Sequence, residues 1–226
     1  MSAAPNIDPV WEEKYRAGHA QRYPWDFVVT FLFRNAPAGR PRRDVRVLEV
    51  GCGTASNLWC AAREGFDVCG VDGSPSAIAS AKARFAAEGL VGDLRVGPFA
   101  PLPFATASAD LAIDRGALTC VGFGDGRAAI AEIRRVLRPG GRFLFNPYAD
   151  DHTSCAASEA GADGLRQNIA AGTMVGVGGV CFYGRADVER ALEGWSVRSL
   201  QHVAAVEWGG APRSIHSEWR AIAEKS

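Results

Sequence analysis

VRVLEVGCGTASNLW, Val45 to Trp59, runs from an apolar stretch into a carboxylate, then two glycines around a cysteine, then a helix-like segment. Val45, Val47, Leu48 and Val50 suit a strand buried on both faces, and Gly51 and Gly53 permit a tight turn where backbone must approach a ligand closely. Strand, glycine turn and helix in this order build doubly wound sheets, which bind small molecules beyond the carboxyl ends of their strands. The stretch therefore predicts an α/β fold with a nucleoside-cofactor site at the turn.

Charge narrows the cofactor. A dinucleotide sets its pyrophosphate on the helix N-terminus, usually over a G-x-G-x-x-G pattern, but here Ser56 holds the third glycine position and Glu49 points toward the turn. That carboxylate would repel phosphate. S-adenosylmethionine (SAM) carries no phosphate, and its sulfonium and ammonium groups are attracted to a nearby carboxylate. Asp72, at the end of the apolar run Val68 to Val71, sits where a carboxylate accepts both ribose hydroxyls, a role common to NAD and SAM sites.

Four ordered segments then resemble class I SAM-dependent methyltransferases of the small-molecule type. LEVGCGTAS is similar to the family's glycine-rich first motif, GVDGSPSAIASAKAR to its second strand and helix, ADLAIDRGAL to its fourth strand, and EIRRVLRPGGRFLF to its helix and fifth strand. The resemblance spans Val45 to Asn146 and implies SAM as the cofactor. It implies contacts from Glu49, Gly51, Cys52, Gly53, Asn57, Asp72, Gly73, Asp114 and Arg115. Two positions depart from the pattern: Ala55 replaces a common third glycine, and Pro98 replaces a usually acidic residue near the adenine amine. The Phe99 backbone amide and apolar packing around Pro98 are therefore expected to hold the base.

The rest of the chain extends this core. Asp8 to Ala17 and Trp25 to Asn35 read as amphipathic helices ahead of the sheet. Strands are expected at Val45 to Val50, Asp67 to Asp72, Leu94 to Val96, Leu111 to Asp114 and Arg142 to Asn146. Helices are expected at Ala55 to Glu64, from a Ser74 cap with Pro75 in its first turn to near Gly89, and at Arg127 to Leu137. A last helix, Ala186 to Leu192, leads to strands Val197 to Val206 and Trp219 to Ala223, the terminal antiparallel hairpin that the resemblance implies. The expected fold is a Rossmann-like, doubly wound, mostly parallel sheet with that hairpin. One methyltransferase domain is expected over 1–226: a helical lid (1–40), a SAM-binding core (45–147), an irregular acceptor-side insertion without strong periodicity (148–184) and a C-terminal helix and hairpin (185–226).

Twenty-five basic residues balance 25 acidic ones, which disfavours a nucleic-acid partner; RPRR at 40–43 reads as a solvated loop. The N-terminal stretch lacks a basic start followed by an apolar block, and no apolar run approaches membrane-spanning length, so no membrane partner and a cytoplasmic location are expected. Six cysteines stand singly, with no C-x-x-C pair, so no metal site is expected and most read as small buried hydrophobes.

Methyl transfer from a sulfonium needs an aligned nucleophile and excluded water, with a general base only when the acceptor arrives protonated. Asp114, just past the fourth strand, His152, after the fifth, and His19, in the turn between the first helices, are the candidate catalytic residues. Tyr15, Tyr23 and Trp25 are candidates to cover the site, and Met174, Val175, Val177, Phe182 and Tyr183 to form a partly apolar wall. His216 reads as a turn residue or part of the acceptor pocket, and His202 as structural. The sequence is read as a SAM-dependent methyltransferase acting on oxygen or nitrogen of a small-molecule acceptor, with a non-catalytic SAM-binding regulator or scaffold as the alternative and an NAD-dependent oxidoreductase behind both.

Overall fold

The computed structural model describes residues 8–209 and 213–226. Residues 1–7 of the expected lid segment and 210–212 of the hairpin region lie outside the described residues. Helices α1 (Val10–Arg16) and α2 (Asp26–Asn35) come first. They are followed by β1 (Arg46–Val50), α3 (Ser56–Arg63), β2 (Asp67–Asp72), α4 (Pro75–Ala87), β3 (Asp93–Val96) and β4 (Ala109–Arg115). Next come α5 (Phe123–Val136), β5 (Leu137–Asn146), α6 (Thr153–Ala156) and the short strands β6 (Glu159–Ala160), β7 (Leu165–Gln167) and β8 (Val180–Cys181). The chain closes with α7 (Arg185–Ala191), β9 (Ser196–Glu207) and β10 (Ser214–Glu224).

Seven strands form one sheet in the order β3-β2-β1-β4-β5-β10-β9. The first five pair in parallel, and β10 runs antiparallel to both β5 and β9. The strand order reverses between β1 and β4, and such a switch point opens a crevice for a ligand at the strand ends. Both faces are covered, which is why β1 and β4 read as near-continuous apolar runs. On one face Val28, Phe31 and Leu32 of α2, Leu58 of α3 and Phe85 of α4 pack on Val47, Val68, Leu111 and Ile113. On the other, Ala129, Ile130 and Ile133 of α5 with Val188 of α7 pack on Leu48, Val50, Phe143 and Phe145.

Local signals place most element ends. Ser74 accepts a hydrogen bond from the Ala77 amide at 3.0 Å, capping α4 with Pro75 in its first turn. Ala55 takes a left-handed conformation (φ 57°) just before α3, which explains why a glycine is common there.

Three expected boundaries and one expected irregular segment are corrected. Helix α5 begins at Phe123, four residues before the expected Arg127, because a glycine-bearing first turn is held by tertiary contact: the Gly124 amide donates to Asp163 Oδ2 at 2.7 Å. Strand β5 begins at Leu137, since the Pro139-Gly140-Gly141 segment stays beside β4 with a register shift between Ala109 and Leu111. Strand β10 begins at Ser214, not Trp219, because pairing to β9 continues to Glu207 and carries polar residues with it. Residues 148–184 are not irregular throughout: α6 and the three-stranded sheet β6-β7-β8 organise them around Met174, Val180 and Phe182.

Asp110 ties the far end of the sheet together. Buried at the start of β4, it accepts the Arg46 amide at 2.8 Å and the Arg40 and Arg138 guanidinium groups, both at 2.6 Å. Asp110→Ala leaves the Arg46 amide without its partner and should destabilise the protein by about 2 kcal/mol, seen as a melting temperature lowered by roughly 5 °C. An unchanged melting temperature would show that the two arginines contribute no net attraction there.

Candidate active site

The carboxyl ends of β1, β2 and β4 each deliver a buried carboxylate. Asp72 ends β2, and its two oxygens accept the Gly53 and Ser74 amides, each at 2.8 Å. This joins the turn after β1 to the turn after β2. Gly51 (φ 66°) lies so close to the loop after β4 that a side chain there would overlap Ala117. Glu49, within β1, accepts the Asn57 amide at 2.6 Å through Oε1, while its buried Oε2 has no partner. Asp114 accepts the Ala117 and Leu118 amides, both at 2.9 Å, through Oδ1, and its buried Oδ2 has none. Burial raises the pKa of Glu49 to about 8 and that of Asp114 to about 7.

Above these groups lies a cavity of about 330 Å³. Gly51, Asp72 and Phe99 line its sheet side, Trp11, Tyr15, His19, Gln21 and Trp25 its N-terminal side, and Tyr148, Met174, Val177 and His216 its far wall. The N-terminal segment is pinned to the core at several points. Glu12 accepts the Ser74 and Ser76 hydroxyls at 2.5 and 2.6 Å, and these bonds hold its pKa down to about 2. Trp25 donates its amide to Asn57 Oδ1 at 3.1 Å, Asp8 Oδ2 accepts the Gly179 amide at 3.3 Å, and the Tyr15 hydroxyl sits over Gly53.

Arg115 crosses the cavity wall. Its guanidinium stacks 3.9 Å from the Trp25 ring centroid, donates to the Tyr148 hydroxyl at 3.4 Å and lies 3.7 Å from Glu218. Deeper in, His152 Nδ1 accepts the Ser154 amide at 2.9 Å and Nε2 faces Thr173 Oγ1 at 3.0 Å and His216 Nδ1 at 3.2 Å. Burial lowers the His152 pKa to about 4, so the ring is neutral.

Of the expected site residues, the structure thus brings Gly51, Asp72, Phe99, Arg115 and His19 to the cavity wall. Glu49, Asn57 and Asp114 lie buried beneath it, Cys52 and Gly53 form the turn under Tyr15, and Gly73 and Pro98 sit partly buried at its margin without lining it. His152 stands behind His216 and caps α6. Tyr23 is 62 % exposed and lies in a separate surface groove with Trp59 and Arg84. His202 bonds Asp151 at 3.0 Å on β9. Sequence reasoning missed Trp11, Tyr148, Cys120 and Glu218. Tyr148 carried a usable signal, two residues past β5 on the same edge; Cys120 carried none. Burial pushes the Cys69 and Cys120 thiols up to about 11 and about 12, so both remain protonated. Among the described residues no three His, Cys, Asp or Glu side chains gather to hold a metal ion, and no helix is long and apolar enough to cross a membrane.

These features fit SAM. The Asp72 oxygens are oriented by backbone amides and retain lone pairs for ribose hydroxyls, and Phe99 offers an apolar surface for the base. The unpartnered oxygens of Glu49 and Asp114 favour a cationic ligand and oppose a pyrophosphate.

Comparison with known proteins agrees. Residues 48–145 match the family model described as a methyltransferase domain. The chain is 26% identical over 192 residues to a ubiquinone biosynthesis O-methyltransferase of Cereibacter sphaeroides, covering 76% of this chain and 77% of that one. It is 35% identical over 105 residues to an uncharacterized protein of Haemophilus influenzae; that match covers 45% of this chain but only 42% of the relative's length. In three dimensions it resembles the Burkholderia thailandensis 1,6-didemethyltoxoflavin-N1-methyltransferase, whose crystal structure holds that compound and S-adenosylhomocysteine. The TM-score is 0.69 at 19% identity, over 100% of this chain and 93% of that one.

The raised carboxyl pKa values set a pH dependence. Glu49 moves from an ordinary 4.5 to about 8 on folding, so its contribution to stability is fully present below the lower value and is lost as pH rises through the upper one. The ligand-free protein should therefore lose stability between about pH 5 and pH 8, and Glu49→Gln should flatten that decline. A bound cation favours the ionised form, so SAM binding near pH 7 should release protons, detectable by calorimetry in buffers of different ionisation enthalpy. Equal heats in all buffers would show that neither carboxyl titrates on binding.

Proposed function

Since residues 48–145 form a class I SAM-dependent methyltransferase domain, we propose that this protein transfers the SAM methyl group to oxygen or nitrogen of a small molecule held in the cavity. The observation that carries this reading is the cavity's two-ended lining: Asp72, Gly51 and Phe99 at the strand ends, and Tyr148, Met174 and His216 across from them. One end suits the nucleoside, the other an acceptor. SAM supplies an already cationic leaving group, so the transfer needs alignment and dryness more than acid or base assistance.

The chain's own residues meet those needs. Asp72 orients the ribose end through amides that fix its carboxylate. Trp11, Tyr15 and Trp25 close the cavity from the N-terminal side, held down by Glu12 on Ser74 and Ser76. Residues 148–184 supply Met174 and Val177 to the opposite wall. Glu49 and Asp114 lie below, and ionise more readily beside a bound cation. The neutral charge balance and the enclosed cavity support a small acceptor over a nucleic acid, and the unpaired cysteines suit a reducing cytoplasm.

Calorimetric titration with S-adenosylhomocysteine tests the cofactor end, with NADH as comparison. Micromolar binding is expected for the wild type and at least about a tenfold loss in Asp72→Ala, the cost of charged hydrogen bonds to both ribose hydroxyls. A preference for NADH would revive the oxidoreductase reading. Tight binding without methyl consumption over a broad acceptor panel would favour the regulator or scaffold.

A further inference from the structure

Three polar atoms meet within hydrogen-bond distance behind the acceptor end of the cavity, and their geometry fixes the protonation of one ring. His152 is neutral, and its Nδ1 accepts the Ser154 amide, so its single proton sits on Nε2. That N–H is aimed at Thr173 Oγ1, 3.0 Å away, and at His216 Nδ1, 3.2 Å away. Thr173 Oγ1 lies 2.7 Å from the same His216 nitrogen. A proton on His216 Nδ1 would confront the His152 N–H across that 3.2 Å gap. With Nδ1 unprotonated, donation runs in one direction from His152 to Thr173 to His216. The neutral His216 ring must then carry its proton on Nε2.

His216 lines the cavity, and Nε2 has no hydrogen-bond partner among the described residues. The groups facing the ring hold it neutral on balance. Burial and the Arg115 charge after β4 lower its pKa against the opposing pull of Glu218 on β10, while Tyr148 and His152 pack edge-on at 5.7 and 5.0 Å.

We infer that His216 presents Nε2–H to the methyl acceptor as a positioning hydrogen-bond donor, and that the acceptor enters with its nucleophilic oxygen already ionised, as in an acidic phenol or enol. This rests on the methyltransferase reading above. The only basic nitrogen of the His216 ring is occupied by Thr173, which with His152 lies outside the cavity lining, so the ring cannot take a proton from the acceptor directly. A donor in the same cavity wall as Arg115, whose charge reaches the ring even with Glu218 at 3.7 Å, instead selects the anion. The aromatic walls from Trp25 and Tyr148 suit a flat molecule. In the transfer, an oxygen lone pair forms the O–CH3 bond, the S–CH3 bond breaks with its electron pair left on sulfur, and no proton is released. His152 and Thr173 act through His216, fixing its tautomer.

Nitrogen-15 NMR of the histidine side chains, on the full chain with and without S-adenosylhomocysteine, tests the tautomer between about pH 6 and pH 8. His216, assigned by its loss in His216→Gln, should remain the neutral Nε2–H form; an Nδ1–H tautomer or an imidazolium overturns the inference. 4-Nitrophenolate and 4-nitrobenzyl alcohol, titrated into the S-adenosylhomocysteine complex, then test the acceptor class. The phenolate should bind, and the alcohol at least about tenfold more weakly. His216→Gln keeps an N–H near the Nε2 position and should bind the phenolate within about threefold of wild type, while His216→Phe should lose at least about tenfold. Unchanged S-adenosylhomocysteine affinity in both variants reports an intact fold. Equal loss in Gln and Phe, equal binding of the two probes, or no phenolate binding overturns the donor role. Failure to bind S-adenosylhomocysteine would instead overturn the cofactor reading, while the tautomer measured on the free protein still decides the protonation of His216.

Discussion

Three neighbouring strands bring carboxylates to one buried edge, and the architecture around them is arranged to make that burial tolerable. Glu49 of β1 and Asp114 of β4 stand on paired strands, and Asp72 ends β2 on the other side of β1. A buried carboxylate without partners is strongly disfavoured, so each draws donors from the nearest turn. Asp72 takes two amides, Asp114 takes two through one oxygen, and Glu49 takes the Asn57 side chain. These bonds fix the turns after β1, β2 and β4 around the cavity floor. They also leave two oxygens unsatisfied, which makes the floor receptive to positive charge, while burial itself raises the pKa values of Glu49 and Asp114.

The cavity roof is assembled from parts far apart in the chain. Asn57 links the two problems: its amide donates to Glu49 while its carbonyl oxygen accepts the Trp25 amide, so satisfying a buried carboxylate also docks the start of α2. Glu12 bridges α1 to the N-terminal turn of α4, where exposed backbone amides and the helix dipole favour a negative charge. Asp8 reaches the loop before β8. The N-terminal helices, the start of α4 and the 148–184 segment are thus coupled through a few charged hydrogen bonds, with Arg115 stacked on Trp25 in the cavity wall.

Small helices and strands inside residues 148–184 show why that segment lacked a periodic signature. Its strands are two or three residues long, below the length at which alternation is visible, and it is organised by a local cluster of Met174, Val180 and Phe182. The early start of β10 has a related cause. Of Ser214, Ile215 and His216 only Ile215 favours a strand by itself, and the three extend because β9 offers them a pairing edge.

The sheet, the glycine turn and the carboxylate that ends β2 are legible along the chain, because they depend on apolar runs, on glycine conformations and on residue types at strand ends, all of which are local. Val45 to Val50, Gly51, Asp72 and the Ser74-Pro75 helix start could be read in order along the chain. What the tertiary structure alone decided is which polar groups face the cavity and in which protonation state. Asp114, His152 and Asn57 look alike in sequence to cavity-lining groups, yet their donors and acceptors are consumed by amides and rings that folding brings near. Tyr148 and His216 line one wall, with Glu218 paired to Arg115, only because β10 inserts beside β5. Hydrogen-bond direction and desolvation are properties of that assembled neighbourhood, and no residue carries them alone.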